Sequence, residues 1–298
     1  MAATGGAGAS QGRNAATFVV PAVGHAGVTG AILRARDAGY RHFDTAVLYN
    51  TEAPLGDAVI EAVRARTIAS RDDVYVTSKL WLTDAHPGRM EYVDLYLIHH
   101  PVSMRPPDEA QGAGPVMLVK KDLVPLDMKG VWEEMEECHR RGLAKAIGVS
   151  NFTCKKLEYL LSFAKIPLAV NQVEVNPCCR QAKLRQFCRT KGIQLCGYSP
   201  LGSTRMSWAN NSVMDSPVLK QITEERGKTV AQVCIRWVYE QGDCVIAKSF
   251  NQSRMRENLD IFDWELTDDD RRKISHLPES RGNYDFLVHE SGPYKTVE

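Results

Sequence analysis

Three observations predict a (β/α)8 barrel. Short apolar runs alternate with segments of helical apolar spacing, no Pro/Ser-rich linker splits the chain, and nearly every apolar run ends on a polar residue. The runs are Phe18–Val23, Tyr40–Phe43, Val74–Val76, Val93–Ile98, Ala144–Val149, Leu168–Val170, Ile193–Leu195 and Cys244–Ala247. A doubly wound open sheet is the competing architecture. It normally carries a glycine-rich turn after its first strand, and no GxGxxG occurs here.

Residues 1–16 are small, Gly/Ala-rich and aperiodic, which predicts a mobile leader ahead of a single domain over 17–298. Between the runs, Val131, Trp132, Met135 and Cys138 mark one helix face, and Gly142 beyond them is a helix stop. Leu157, Leu160 and Leu161, and then Val230, Val233 and Trp237, repeat the pattern.

Composition excludes several classes. With 44% hydrophobic and 24% charged residues the 298-residue chain is neither disordered nor a small disulfide scaffold. Lys+Arg is 37 against 36 Asp+Glu, so no basic excess favours nucleic acid. No apolar run approaches the roughly 20 residues of a membrane span. Eight cysteines without a CxxC pair read as free thiols in a reducing, cytoplasmic setting. No metal site is expected: His99 and His100 are adjacent, and adjacent strand residues point to opposite faces.

In a barrel the chemistry belongs at the C-terminal strand ends. There the chain places Asp44 with Tyr49 five residues on, then Lys79, His99, Ser150 with Asn151, Asn171 with Gln172, Tyr198 with Ser199, and Lys248 with Ser249. Any one of these alone is an ordinary cap or core residue. Their recurrence in order is a site signal.

At these positions the chain resembles the aldo-keto reductases. The matching stretches are GYRHFDTA (39–46), Tyr49, LGDAV (55–59), TSKLW (77–81), YVDLYLIHHP (92–101), IGVSNF (147–152), NQVEVNP (171–177), YSPLG (198–202) and KSFNQSRMRENL (248–259). It is most similar to the plant branch, which includes grass enzymes that reduce a keto intermediate of phytosiderophore synthesis. The resemblance implies a reaction centre of Asp44, Tyr49, Lys79 and His99. A free Tyr, with a pKa near 10, is a weak acid at neutral pH. A buried Lys79 ammonium beside Tyr49 is expected to lower that value, with Asp44 offsetting the cost of burying the charge and His99 orienting the substrate oxygen.

The implied cofactor is NADPH. By resemblance Ser150, Asn151 and Gln172 hold the nicotinamide carboxamide, Tyr198 stacks on the ring, and Asp44 borders it. Ser199, Leu201 and Ser203 follow the pyrophosphate, Lys248, Ser249 and Arg254 meet the 2′-phosphate, and Glu257 and Asn258 meet the adenine. Two cations around one phosphate favour NADPH over NADH.

Substrate choice is expected in the Pro/Gly-rich segment 101–128, with Trp81 and His100 beside the reacting carbonyl. Many relatives carry Trp where this chain has His100, and a polar ring there points to a polar or acidic carbonyl substrate. Two stretches depart from the family. The turn after the first strand, Ala22 to Val28, is shortened, and the connection Trp81–Met90 is too short and irregular to carry the usual helix. The barrel is therefore expected to lack its helix between strands three and four, beside Lys79 and His99. The two functions that follow are a monomeric carbonyl reductase, or a catalytically impaired paralogue that binds cofactor or partner.

Overall fold

A computed structural model of the chain describes residues 16–20, 25–81, 92–104, 123–202 and 212–280. In chain order these form β1 (Ala16–Val19), α1 (His25–Ala38), β2 (His42–Asp44), α2 (Glu52–Arg64), β3 (Tyr75–Leu80), β4 (Val93–Ile98), β5 (Ser103–Met104), β6 (Leu123–Val124), α3 (Met128–Arg140), β7 (Ala144–Ser150), α4 (Cys154–Leu161), β8 (Val170–Glu174), α5 (Ala182–Lys191), β9 (Gln194–Tyr198), α6 (Pro217–Arg226), α7 (Val230–Glu240), β10 (Cys244–Ala247), α8 (Gln252–Glu257) and α9 (Asp268–Ser275). Eight strands close a parallel barrel in the order β1-β2-β3-β4-β7-β8-β9-β10, and β5 and β6 form a separate antiparallel ribbon. Within the described residues no helix is long and apolar enough to cross a membrane.

Alternation along each strand divides the core. Phe18, Phe43 and Val76 pack outward with Val28, Ile32, Leu55 and Ala58 of α1 and α2. Leu95, Leu97, Val170, Cys196 and Ile246 form a cluster drawn from the strands alone, which fills the lumen. The expected helices occur where their apolar faces lie. Trp132 and Met135 of α3 are buried, and Gly142 beyond it adopts φ +72°, the left-handed stop. α7 opens on a reciprocal cap between Thr229 and Gln232, which satisfies two otherwise unpaired amides.

The strand limits differ from the sequence reading in consistent ways. Ala16 opens β1 rather than closing the leader, and β1 ends at Val19. β2 begins at His42, because Gly39 turns the chain at φ +114° and Tyr40 packs edge-on against Phe18 beneath the barrel wall. β8 runs on to Glu174 and β9 to Tyr198. A lumen can pair polar side chains with one another, so ladders outlast the apolar runs that announce them. The leader, apart from Ala16, lies outside the described residues, as does the expected helix loss at 82–91 and most of the shortened first turn. The ladder beside that connection is intact, with Thr77↔Leu95, Ser78↔Tyr96, Lys79↔Leu97 and Leu80↔Ile98 in register.

Lower in the lumen, His42 bridges Thr17 Oγ1 at 2.8 Å and Thr77 Oγ1 at 2.7 Å. Burial, aided by the Lys79 charge, lowers its pKa from 6.5 to about 3. The unfolded chain therefore takes up this proton first as pH falls. Stability from this group is complete above pH 6.5 and drains at about 1.4 kcal/mol per pH unit as pH drops toward 3. Urea unfolding at about pH 7 and about pH 5 should show this slope, and His42→Asn should make it shallower by about one proton's worth. An unchanged slope would place the acid sensitivity elsewhere.

Candidate active site

Parallel pairing brings the C-terminal strand ends to one rim. Asp44 ends β2, Lys79 lies near the end of β3, His99 follows β4, Ser150 ends β7 and Tyr198 ends β9. Gln172 lies inside β8, and its side chain reaches the same rim, where Nε2 meets Asp44. Tyr49 arrives from a single 3-10 turn, Val47–Tyr49, that follows Asp44. Two contacts hold that turn: Asn50 reverses the chain at φ 52°, and the Thr45 and Thr51 hydroxyls bond at 2.7 Å.

Lys79 is fully buried. Its Nζ donates to Asp44 Oδ1 at 2.5 Å and to the Thr45 carbonyl at 2.9 Å, and stands 4.9 Å from the centre of the Tyr49 ring. Gln172 Nε2 donates to the second Asp44 oxygen at 2.8 Å. The carboxylate is thus held at both oxygens and the ammonium by two acceptors, which is what a buried charge requires. Burial pulls the Lys79 pKa down, but Asp44 and Tyr49 together outweigh it, so the group stays an ammonium. For Tyr49 the balance is the reverse of the sequence expectation. Burial pushes its pKa above 10.0, and the charge and hydrogen bond of Lys79 recover only part of the rise, with Asp44 adding to it. Tyr49 therefore rests fully protonated, beside a cation that favours its phenolate once the proton has left.

The two histidines also differ from expectation. Rather than facing apart, their rings stack at 4.6 Å and 11°, because both lie beyond the last residue of β4. Burial, then His100, then Lys79 hold His99 far below its ordinary pKa, and burial with Lys79 takes His100 to about 3. Both rings are neutral at physiological pH. His99 meets the Tyr49 ring edge-on at 5.8 Å.

Asn151 is the hub of the opposite wall. Its positive φ, 66°, turns the chain after β7, and Tyr198 Oη donates to its Oδ1 at 2.7 Å. Its amide nitrogen then faces the His99 carbonyl at 3.0 Å, His100 Nδ1 at 3.0 Å and Ser150 Oγ at 3.2 Å. An amide nitrogen can only donate, so His100 Nδ1 accepts and the His100 proton sits on Nε2. Ser150 Oγ donates to the Gln172 carbonyl at 2.8 Å, which closes the network around the rim.

Beyond β9, Ser199 adopts φ 49° and its carbonyl accepts from Gly202 at 2.9 Å, forming a tight turn that carries Leu201. Ser203 lies outside the described residues. Past β10, Lys248 is exposed and lies 5.0 Å over the Phe250 ring, and Ser249 bonds the Asn251 backbone. Arg254 and Glu257 are exposed on α8, whereas Asn258 is buried and bonded to Tyr40. Asn258 thus braces the wall rather than facing solvent.

On the substrate side Trp81 is buried, edge-on to His99 at 5.4 Å and to His100 at 6.0 Å. It packs on Val102, Met104 and Leu123 of the β5–β6 ribbon and on Val47 and Leu48. The ribbon brings both ends of the 101–128 segment to the rim, and 105–122 lies outside the described residues. Sequence reasoning missed the Thr45 carbonyl and the ribbon contacts. A backbone acceptor carries no residue signal, and two-residue strands carry no period.

Two buried polar atoms at the rim have no partner among the described residues, Trp81 Nε1 and His99 Nδ1. Orphans of this kind are costly unless a ligand engages the cavity. Together with the partly exposed Tyr49 and Tyr198, the neutral donors around Asn151, and the cations Lys248 and Arg254, they fit a bound dinucleotide and a carbonyl compound.

Comparison with known proteins agrees with this geometry. The profile of the Aldo/keto reductase family matches residues 25–279. Deoxymugineic acid synthase 1-A of Triticum aestivum is 58% identical over 282 residues, covering 90% of this chain and 88% of that protein. Deoxymugineic acid synthase 1 of Oryza sativa subsp. japonica is 57% identical, with coverages of 90% and 87%. The (1S)-1,7-diacetoxy-luvungin A aldo-keto reductase of Citrus sinensis is 53% identical, with 90% and 86%. Among solved structures, the aldose reductase from Schistosoma japonicum superposes with a TM-score of 0.80 at 27% identity, covering 92% of each chain.

Proposed function

The chain belongs to the aldo/keto reductase family, a family of oxidoreductases, and from that premise we propose that it reduces a carboxylated ketone or aldehyde to the alcohol with NADPH. The observation that carries the reading is the buried Lys79 ammonium, bonded to Asp44 and set beside the protonated Tyr49 hydroxyl. NADPH, when bound, supplies the hydride. Tyr49 donates the proton from its Oη to the carbonyl oxygen as negative charge builds there, and Lys79 stabilises the phenolate that remains. His99 is neutral, so it positions the oxygen and does not act as the acid. Ser150, Asn151 and Gln172 would hold the carboxamide, Tyr198 the ring face, Ser199, Leu201 and Ser203 the pyrophosphate path, and Lys248, Ser249 and Arg254 the 2′-phosphate, with Glu257 and Asn258 nearest the adenine. The enzyme acts as a cytosolic monomer on this reading, as is general for the family.

The acid in the substrate is supported by two features. The wheat and rice relatives are named for making an acid, and His100 presents an Nε2–H donor beside Trp81. Loss of NADPH absorbance with a panel of keto acids and plain aldehydes tests the function. Binding of NADPH without turnover of any of them would replace it with the impaired, cofactor-binding reading. His100→Trp should lower the kcat/KM ratio of carboxylated over apolar substrates by about tenfold, the worth of one hydrogen bond to a charged group. An unchanged ratio would remove His100 from substrate choice.

A further inference from the structure

The lumen below the reaction centre holds a thiol pair that carbonyl reduction does not use. Cys196 on β9 and Cys244 on β10 are direct register partners. Neighbouring strands lie about 4.8 Å apart, inside the roughly 4.4–6.8 Å that a disulfide spans between Cα atoms. Register partners on neighbouring strands point to the same face, and both side chains belong to the strand-only cluster of the lumen. They are not equivalent. Cys244 opens β10 at the lower mouth and is partly exposed, while Cys196 is buried. The neighbouring Cys244 thiol and burial hold the Cys196 thiol well above its usual range. Cys138, Cys154, Cys178, Cys188 and Cys234 are all shifted upward by burial. A partly exposed thiol in register with a buried one is the arrangement of an attacking and a resolving cysteine.

We propose that Cys196 and Cys244 form a reversible disulfide in response to hydrogen peroxide, and that closing it weakens cofactor binding. The Cys244 thiol loses its proton and the thiolate attacks one peroxide oxygen; the O–O bond breaks, a sulfenic acid forms, and the released hydroxide takes up that proton as water. Cys196 sulfur then attacks the sulfenic sulfur, the S–S bond forms, and the hydroxyl leaves with the Cys196 proton as a second water. Two thiols are oxidised and one peroxide is reduced. The effect on binding follows from position. Cys196 is in register with Gln172 and stands two residues before Tyr198, and β10 leads directly to Lys248. A disulfide most often spans about 5.5–6 Å between Cα atoms, more than the strand spacing, so closing it spreads β9 and β10 at that level and shifts these groups. This second half rests on the cofactor assignment above, whereas the disulfide does not.

The test is peroxide treatment of the native full-length chain, followed by alkylation after denaturation and peptide mass mapping, with fluorescence titration of NADPH on the same samples. The expected result is a Cys196–Cys244 cross-link reversed by dithiothreitol, with Cys234 still alkylated. Cys196→Ser should instead trap Cys244 as a sulfenic acid reactive to a dimedone probe, and Cys244→Ser should leave Cys196 reduced. Full alkylation of both residues in treated wild type, or a cross-link between other cysteines, overturns the disulfide. The Kd for NADPH should rise severalfold in oxidised wild type, recover with dithiothreitol, and stay constant in Cys244→Ser. A formed cross-link with unchanged Kd overturns the effect on binding.

Discussion

Tyr49→Phe is expected to lower kcat by about a hundred- to ten-thousand-fold while leaving NADPH affinity in place. The hydroxyl is the single atom removed, and the barrel contacts of the ring remain. No neighbour can substitute as acid. His99 stands against the Tyr49 ring, but burial keeps it neutral, and the Lys79 ammonium is committed to Asp44 and the Thr45 carbonyl. The raised Tyr49 pKa adds a pH signature. Because the acid form persists past pH 10.0, kcat for reduction should stay flat through neutral and mildly alkaline pH in wild type. Single-turnover NADPH oxidation and fluorescence titration measure the two quantities separately. Wild-type turnover in the Phe variant would assign the proton to another group.

Lys79→Met should cost both activity and stability. The variant keeps the volume but strips the Asp44 carboxylate of its cation in a site with almost no solvent access. Breaking a buried pair from one side costs about 3–5 kcal/mol, a large part of a domain's stability. The Gln172 hydrogen bond to Asp44 softens this and does not neutralise the charge. Asp44→Asn combined with Lys79→Met removes both charges, so the double variant should regain much of the lost stability while remaining inactive. Urea unfolding of the four proteins gives the coupling directly. A Lys79→Met chain as stable as wild type would mean that the Lys79–Asp44 ion pair contributes nothing to holding the rim together.

The barrel, and the residues that meet at its rim, were legible because alternation and rim position are local. Each apolar run reports one strand, and each polar residue at its end reports one rim position. The strand limits were less legible. Gln172 and Tyr198 continue ladders that hydropathy ends too early, since their polar groups find partners across the closed cylinder. Asn258 was legible as part of a family motif but not in orientation, which its contact with Tyr40 decides.

What the amino-acid order determined by itself was the eight barrel strands, their sequence around the cylinder, and which residues stand at the strand ends, because these follow from period and chain direction. What only the tertiary structure decided was the electrostatic state of that rim. The raised Tyr49, the two neutral and stacked histidines, the tautomer of His100 and the facing of Cys196 with Cys244 all depend on groups far apart in sequence. Acidity and hydrogen-bond direction are set by burial and by charges within a few ångströms, and no linear spacing encodes either.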